Sequence, residues 1–93
     1  MALSRADMLR KRVRDIVLEM APFSSSAVSG STTLKDDLGY DSLGLFELAA
    51  AIEQEFALPT ISADDSHNVR TIADVEDIVA RIYGTTHADS GSD

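Results

Sequence analysis

Cysteine is absent from the 93 residues, which removes disulfides, thiolate nucleophiles and zinc sites built on thiolates. Histidine is nearly absent, since His67 and His87 cannot form a metal cluster by themselves, and no metal site is expected. No apolar run approaches the roughly 18 residues that a membrane span needs. The opening Met-Ala-Leu-Ser-Arg-Ala-Asp lacks the long apolar stretch of an export signal, so a cytoplasmic chain without membrane attachment is expected. Bases are scarce as well: 8 Lys and Arg stand against 16 Asp and Glu, for a net charge of −8. A nucleic-acid binder needs clustered cations to neutralise phosphates, so that class is set aside and basic proteins are the expected partners.

What is present is unevenly placed. Residues 1–20 hold five bases (Arg5, Arg10, Lys11, Arg12 and Arg14), whereas Leu34 to Ile78 contains eleven acids with only Lys35 and Arg70. A chain of this length makes one domain with a modest core. Four short helices would use its whole length, and a monomer is expected.

Helical periodicity appears three times. Ser4 with Asp7 forms a capping pair, and Leu9, Val13, Ile16, Val17 and Met20 give a first buried stripe before Pro22. The bases of this helix lie mostly off the stripe and read as solvated surface. From Ala21 to Tyr40 the chain is irregular and long for so small a domain, so it must be held by its own apolar side chains, Phe23, Val28, Leu34 and Leu38. Gly39 is expected to supply a backbone conformation that other residues resist. Thr71 with Asp74 is another capping pair, and Ile72, Val75, Ile78, Val79 and Ile82 mark a last helix that Gly84 should stop. Ser62 is placed to cap a short helix or single turn over residues 63–68. The resulting expectation is an all-α four-helix bundle with three longer helices, one short third helix and a long loop between helices one and two. It spans residues 1–84, with a polar, disordered tail over 85–93.

The middle helix, from Ser42 to about Phe56, is the informative one. On a helical wheel, Leu45, Leu48, Ala49, Ile52 and Phe56 fall within a sector of about 100°, the core face. Leu43, Phe46 and Ala50 form a second apolar group about 135° further round, beside Ser42 and Glu53. A helix needs only one face for its core. The second group either packs under the long loop or forms a contact strip rimmed by Glu47 and Glu53. Asp41 is a good N-cap residue, which puts the Ser42 hydroxyl at the first helical position, beside unpaired N–H groups and the positive end of the helix dipole. A phosphate is well accommodated there. As a hydrolase nucleophile Ser42 would need an oriented histidine, and the surrounding spacing fits no nucleophile elbow, so no catalytic residue is assigned.

The run Asp37-Leu38-Gly39-Tyr40-Asp41-Ser42-Leu43, followed by this helix, resembles the acyl carrier proteins, and the resemblance extends over Leu9 to Tyr83. It implies that Ser42 carries 4'-phosphopantetheine, transferred covalently from coenzyme A by a phosphopantetheinyl transferase, and that Asp41 helps bind the transferase's magnesium ion. The arm ends in a thiol, so a protein without cysteine can carry acyl groups as thioesters. The resemblance also implies that Leu43, Phe46, Glu47, Ala50 and Glu53 meet acyltransferases, ketosynthases or ligase-type enzymes with basic docking surfaces. The acyl chain could lie between helix two and its neighbours, against Leu45 and Phe56. Gly44 stands where fatty-acid carriers usually have an acid, and Phe46 replaces a smaller aliphatic residue. These departures point to a discrete carrier in polyketide or related specialised metabolism, with fatty-acid and peptidyl carriers as alternatives. In a different class altogether stands a small helical interaction domain with Ser42 unmodified.

Overall fold

The Oγ of Ser4 accepts the Asp7 N–H at 3.0 Å and opens the first helix, so the capping pair read from sequence is the one that forms. The computed structural model describes residues 4–23, 27–62 and 68–86. Among them are three helices, α1 (Arg5–Met20), α2 (Ser42–Phe56) and α3 (Ile72–Thr86), and one isolated antiparallel bridge between Thr33 and Thr71. The short third helix expected over 63–68 falls almost entirely on residues outside the described ones, as does most of the 85–93 tail. No helix among the described residues is long and apolar enough to cross a membrane.

The core forms where the three apolar stripes meet. α1 buries Val13, Ile16 and Val17, α2 buries Leu48 and Ile52, and α3 buries Ile72, Val75 and Val79. Met20, counted in the first stripe, is exposed at the end of α1. Burying each of the larger aliphatic side chains contributes about 1.5–3 kcal/mol. The long loop adds Leu34, Leu38 and Tyr40 to the same cluster, with Val28 packed at its margin. A loop this long is therefore a component of the core.

Backbone pairing also fixes the loop. The Leu34 N–H donates to Arg70 O at 2.9 Å, the Ile72 N–H to Thr32 O at 3.0 Å and the Ala73 N–H to Gly30 O at 2.9 Å. Thr33 and Asp37 close the next turn reciprocally. Asp37 Oδ2 accepts the Thr33 N–H at 2.8 Å, and Thr33 Oγ1 accepts the Asp37 N–H at 3.0 Å. Phe23, expected as a buried anchor, is instead exposed, because its ring lies over the backbone of Gly39 rather than among the helices. Gly39 has φ +80°, and a Cβ there would lie 2.8 Å from that ring, so both backbone and space require glycine.

Two further expectations are corrected. Gly84 does not stop α3, which runs on to Thr86, with Thr85 Oγ1 donating to Arg81 O at 3.1 Å. Glycine ends a helix by turning left-handed, and among the described glycines only Gly39 has positive φ. The α1 bases are also more than solvated surface. Arg14 Nε pairs with Glu76 Oε2 at 3.0 Å, Arg10 Nη1 pairs with Asp77 at 2.8 Å and lies 3.6 Å from Glu76, and Arg12 Nε pairs with Glu55 at 3.0 Å. Glu76 is buried, and the periodicity of α3 gave no sign that an acid would be. These pairs tie α1 to α3 and to the far end of α2.

Candidate functional site

Ser42 is the first residue of α2 and is exposed. The preceding residue, Asp41, is extended and caps the helix, its Oδ1 accepting the Gly44 N–H at 2.7 Å while its carbonyl accepts the Leu45 N–H at 2.9 Å. The Ser42 and Leu43 N–H groups belong to the first turn and have no intrahelical acceptor, so the serine hydroxyl stands beside the positive end of the helix. An exposed hydroxyl at such a position suits a phosphodiester linkage. Asp37, which would oppose such an anion, is engaged with Thr33 in its own turn.

What holds this surface residue in place is the one before Asp41, and sequence reasoning missed it. Tyr40 is only 3% exposed. Its hydroxyl donates to Val17 O of α1 at 2.7 Å and its backbone N–H donates to Leu34 O at 2.9 Å. Burial pushes the phenol up to about 12. An aromatic residue just before a cap was the available signal, but a single tyrosine outside any helical period does not announce its depth.

The outer strip stands clear of the long loop. Leu43 is 64% exposed and Phe46 73%, and Ala50 is exposed beside them. Packing under the loop, one of the two readings open from sequence, is thereby excluded. Glu47 is exposed, but Glu53 is half-buried and accepts the Ile61 N–H at 2.7 Å through Oε2. Glu53 thus anchors the segment after α2, and its charge is partly committed to that bond.

Behind the site a cavity of about 60 Å³ opens between α2 and α3. Among the described residues its wall is almost wholly apolar and includes Leu45, Leu48, Ala49 and Ile52 of α2, Ile61, Val69, and Val75 and Ile78 of α3. Leu45 is where the wheel put it. Phe56 is not part of this wall, because it sits at the far end of α2 and meets Tyr83 edge-on, with ring centroids 6.2 Å apart at 87°. It lines a separate hollow with Met8, Leu9 and Arg12. Both histidines lie outside the described residues. Among the described residues, no three His, Cys, Asp or Glu side chains are grouped to hold a metal ion.

Comparison with known proteins agrees with this geometry. The family model described as "Phosphopantetheine attachment site" matches residues 11–82, which include α2 and its cap. Among solved structures, the chain is similar to an acyl carrier protein from Thermotoga maritima, with 29% identity and a TM-score of 0.71 over 85% of this chain and 95% of that one. It is also similar to the acetyl actinorhodin acyl carrier protein from Streptomyces coelicolor, with 25% identity and a TM-score of 0.62 over 83% and 92%. With a family match over most of its length on a fold shared with those structures, the chain belongs to the phosphopantetheine-attachment family of acyl carrier proteins, and its cofactor is 4'-phosphopantetheine.

Proposed function

We propose that Ser42 is the residue that carries the arm, and that this chain is a discrete, non-catalytic, cytoplasmic carrier of acyl intermediates. The observation that carries the reading is the exposed hydroxyl at the first position of α2, behind the Asp41 cap and inside the family match. In the active site of a phosphopantetheinyl transferase, the Ser42 Oγ attacks the phosphorus of coenzyme A that bears the pantetheine. The P–O–P bond breaks, adenosine bisphosphate leaves and the hydroxyl proton passes to a base. The N–H groups of the first turn favour the new phosphodiester anion. Asp41 fixes the helix start and offers a carboxylate for the transferase's magnesium. Once attached, the arm supplies a terminal thiol on which acyl groups are held as thioesters.

Leu43, Phe46 and Ala50 form the apolar part of the docking surface, with Glu47 as its exposed acid and Glu53 contributing from a half-buried position. Acyltransferases, ketosynthases or ligase-type enzymes with basic docking surfaces fit such a strip. Leu45 and its neighbours offer an apolar cavity to the head of an acyl chain. A short third helix over residues 63–68 would complete a four-helix carrier bundle. A neutral Gly44, a large exposed Phe46 and similarity to a carrier named for one product, actinorhodin, support polyketide or related specialised metabolism over fatty-acid synthesis.

Intact mass after incubation with coenzyme A and a broad-specificity transferase tests the reading. The chain should gain one phosphopantetheine, and Ser42→Ala should gain none. A mass gain in Ser42→Ala would place the arm elsewhere. No gain in the unaltered chain would leave the small interaction domain as the better account.

A further inference from the structure

One exposed aromatic ring has no part in the account above. Phe23 is 59% exposed, and the edge that is covered, Cγ, Cδ2 and Cε2, lies 2.8–3.0 Å from where a Cβ on Gly39 would stand. We propose that the exposed part of the Phe23 ring receives the phosphopantetheine arm, taking its methyl groups and amide planes when no partner holds them. This inference rests on Ser42 being the attachment residue.

Phe23 is held near the site in two ways. Its backbone N–H donates to Leu38 O at 3.0 Å, and its ring sits on Gly39, where a side chain would collide with it. Gly39 is three residues before Ser42. Three Cα steps of about 3.8 Å put the two α-carbons no more than about 11 Å apart, and the covered ring edge is at most a few Å further. The arm is about as long as four extended residues and reaches about 14 Å beyond its phosphate. The ring therefore lies within its span.

Phe46 is the other exposed phenylalanine near the serine, and the direction in which the arm departs separates the two. Side chains on a helix tilt toward its N-terminus, and a phosphate on Ser42 is favoured by the N–H groups that open off that same end. The arm thus leaves past the start of α2, toward residues 39–41 and Phe23, whereas Phe46 lies one turn the other way along the helix. Tethering also makes a weak contact sufficient, since a short flexible linker gives an effective concentration on the order of millimolar. An aromatic ring offers such a contact to methyl groups and amides without using charge. Its consequence is that Leu43 and Phe46 stay clear for a partner while the arm is at rest.

The test is proton NMR of the full chain loaded from coenzyme A by a broad-specificity transferase, with free 4'-phosphopantetheine as the reference. On the loaded parent, the arm's methyl and methylene resonances should move upfield through the ring current and show cross-relaxation to the Phe23 ring protons. Phe23→Leu keeps an apolar side chain without the ring, and should return those resonances to the reference positions. Phe46→Leu should leave the upfield shift in place. If Phe23→Leu does not fold, cross-relaxation to the Phe23 ring in the parent decides the matter. Arm resonances in the loaded parent that match free 4'-phosphopantetheine would overturn the inference while leaving Ser42 as the attachment residue. An upfield shift that survives Phe23→Leu, or that disappears in Phe46→Leu, would overturn it as well. A parent chain that gains no phosphopantetheine mass refutes the Ser42 reading and this inference with it.

Discussion

The two apolar faces of α2 have similar composition and opposite fates. Leu48 and Ile52 are buried in the core cluster, while Leu43 and Phe46, on the same helix, stand mostly in solvent. The difference teaches that hydrophobicity alone does not assign a side chain to a core, because the fold has only as much interior as its facing elements provide. An apolar strip left outside a filled core is better explained by what it meets than by what it stabilises. The acids divide in the same way: Glu53 is spent on the Ile61 N–H, and Glu47 stays in solvent.

Substitutions on each face sharpen that contrast. Ile52→Ala removes most of a fully buried side chain and should cost about 2–5 kcal/mol by chemical or thermal unfolding. A smaller loss, under about 1 kcal/mol, would mean that the interior is looser than its burial indicates. Next in size, Glu53→Ala leaves the Ile61 N–H without its acceptor and should cost about 1–2 kcal/mol, discounted for partial exposure. Glu47→Ala should stay within about 0.5 kcal/mol of the parent, and equal costs at the two positions would erase the distinction between them. Phe46→Ala should cost under about 1 kcal/mol of stability while weakening transfer to or from a cognate enzyme severalfold. A large loss of stability there would move Phe46 to the inner face after all.

The smallest effect concerns acid. The Arg70 backbone N–H, with the Thr71 N–H and hydroxyl, holds the Asp74 carboxyl below its usual 3.8. A depressed carboxyl contributes stability that is present above its unfolded pKa and lost as pH falls through its folded one. Asp74→Asn should therefore flatten the acid limb of the stability curve below about pH 4, slightly, because the group is only partly buried. An acid limb that stays as steep as the parent's would show that the capping bonds at the start of α3 carry no linkage to pH.

Much of this architecture was legible from local pattern. The pairs Ser4 with Asp7 and Thr71 with Asp74 mark helix starts because a side-chain oxygen three residues from an unpaired N–H satisfies it, wherever the rest of the chain lies. Asp41 gave the start of α2 for the same reason, and with it the placement of Ser42. The buried stripes were legible because a 3.6-residue period brings one face to the core. Gly84 misled because a glycine permits a helix to end without requiring it.

Long-range geometry decided the remainder. Arg14 and Glu76 are 62 residues apart, Tyr40 reaches Val17 across 23, and Thr33 pairs with Thr71, and no local period links the members of any of these pairs. Phe56 was assigned to the cavity by its azimuth alone, but its height along α2 sets it beside Tyr83 instead. By itself the sequence determined the helices, their inner faces and the serine at the start of α2, since hydrogen-bonded turns and helical periodicity are properties of neighbouring residues. Only the tertiary structure decided that the second apolar strip lies bare, that an acid is buried on α3, and that a buried tyrosine stands behind the serine, because each depends on which distant surfaces fill the space around it.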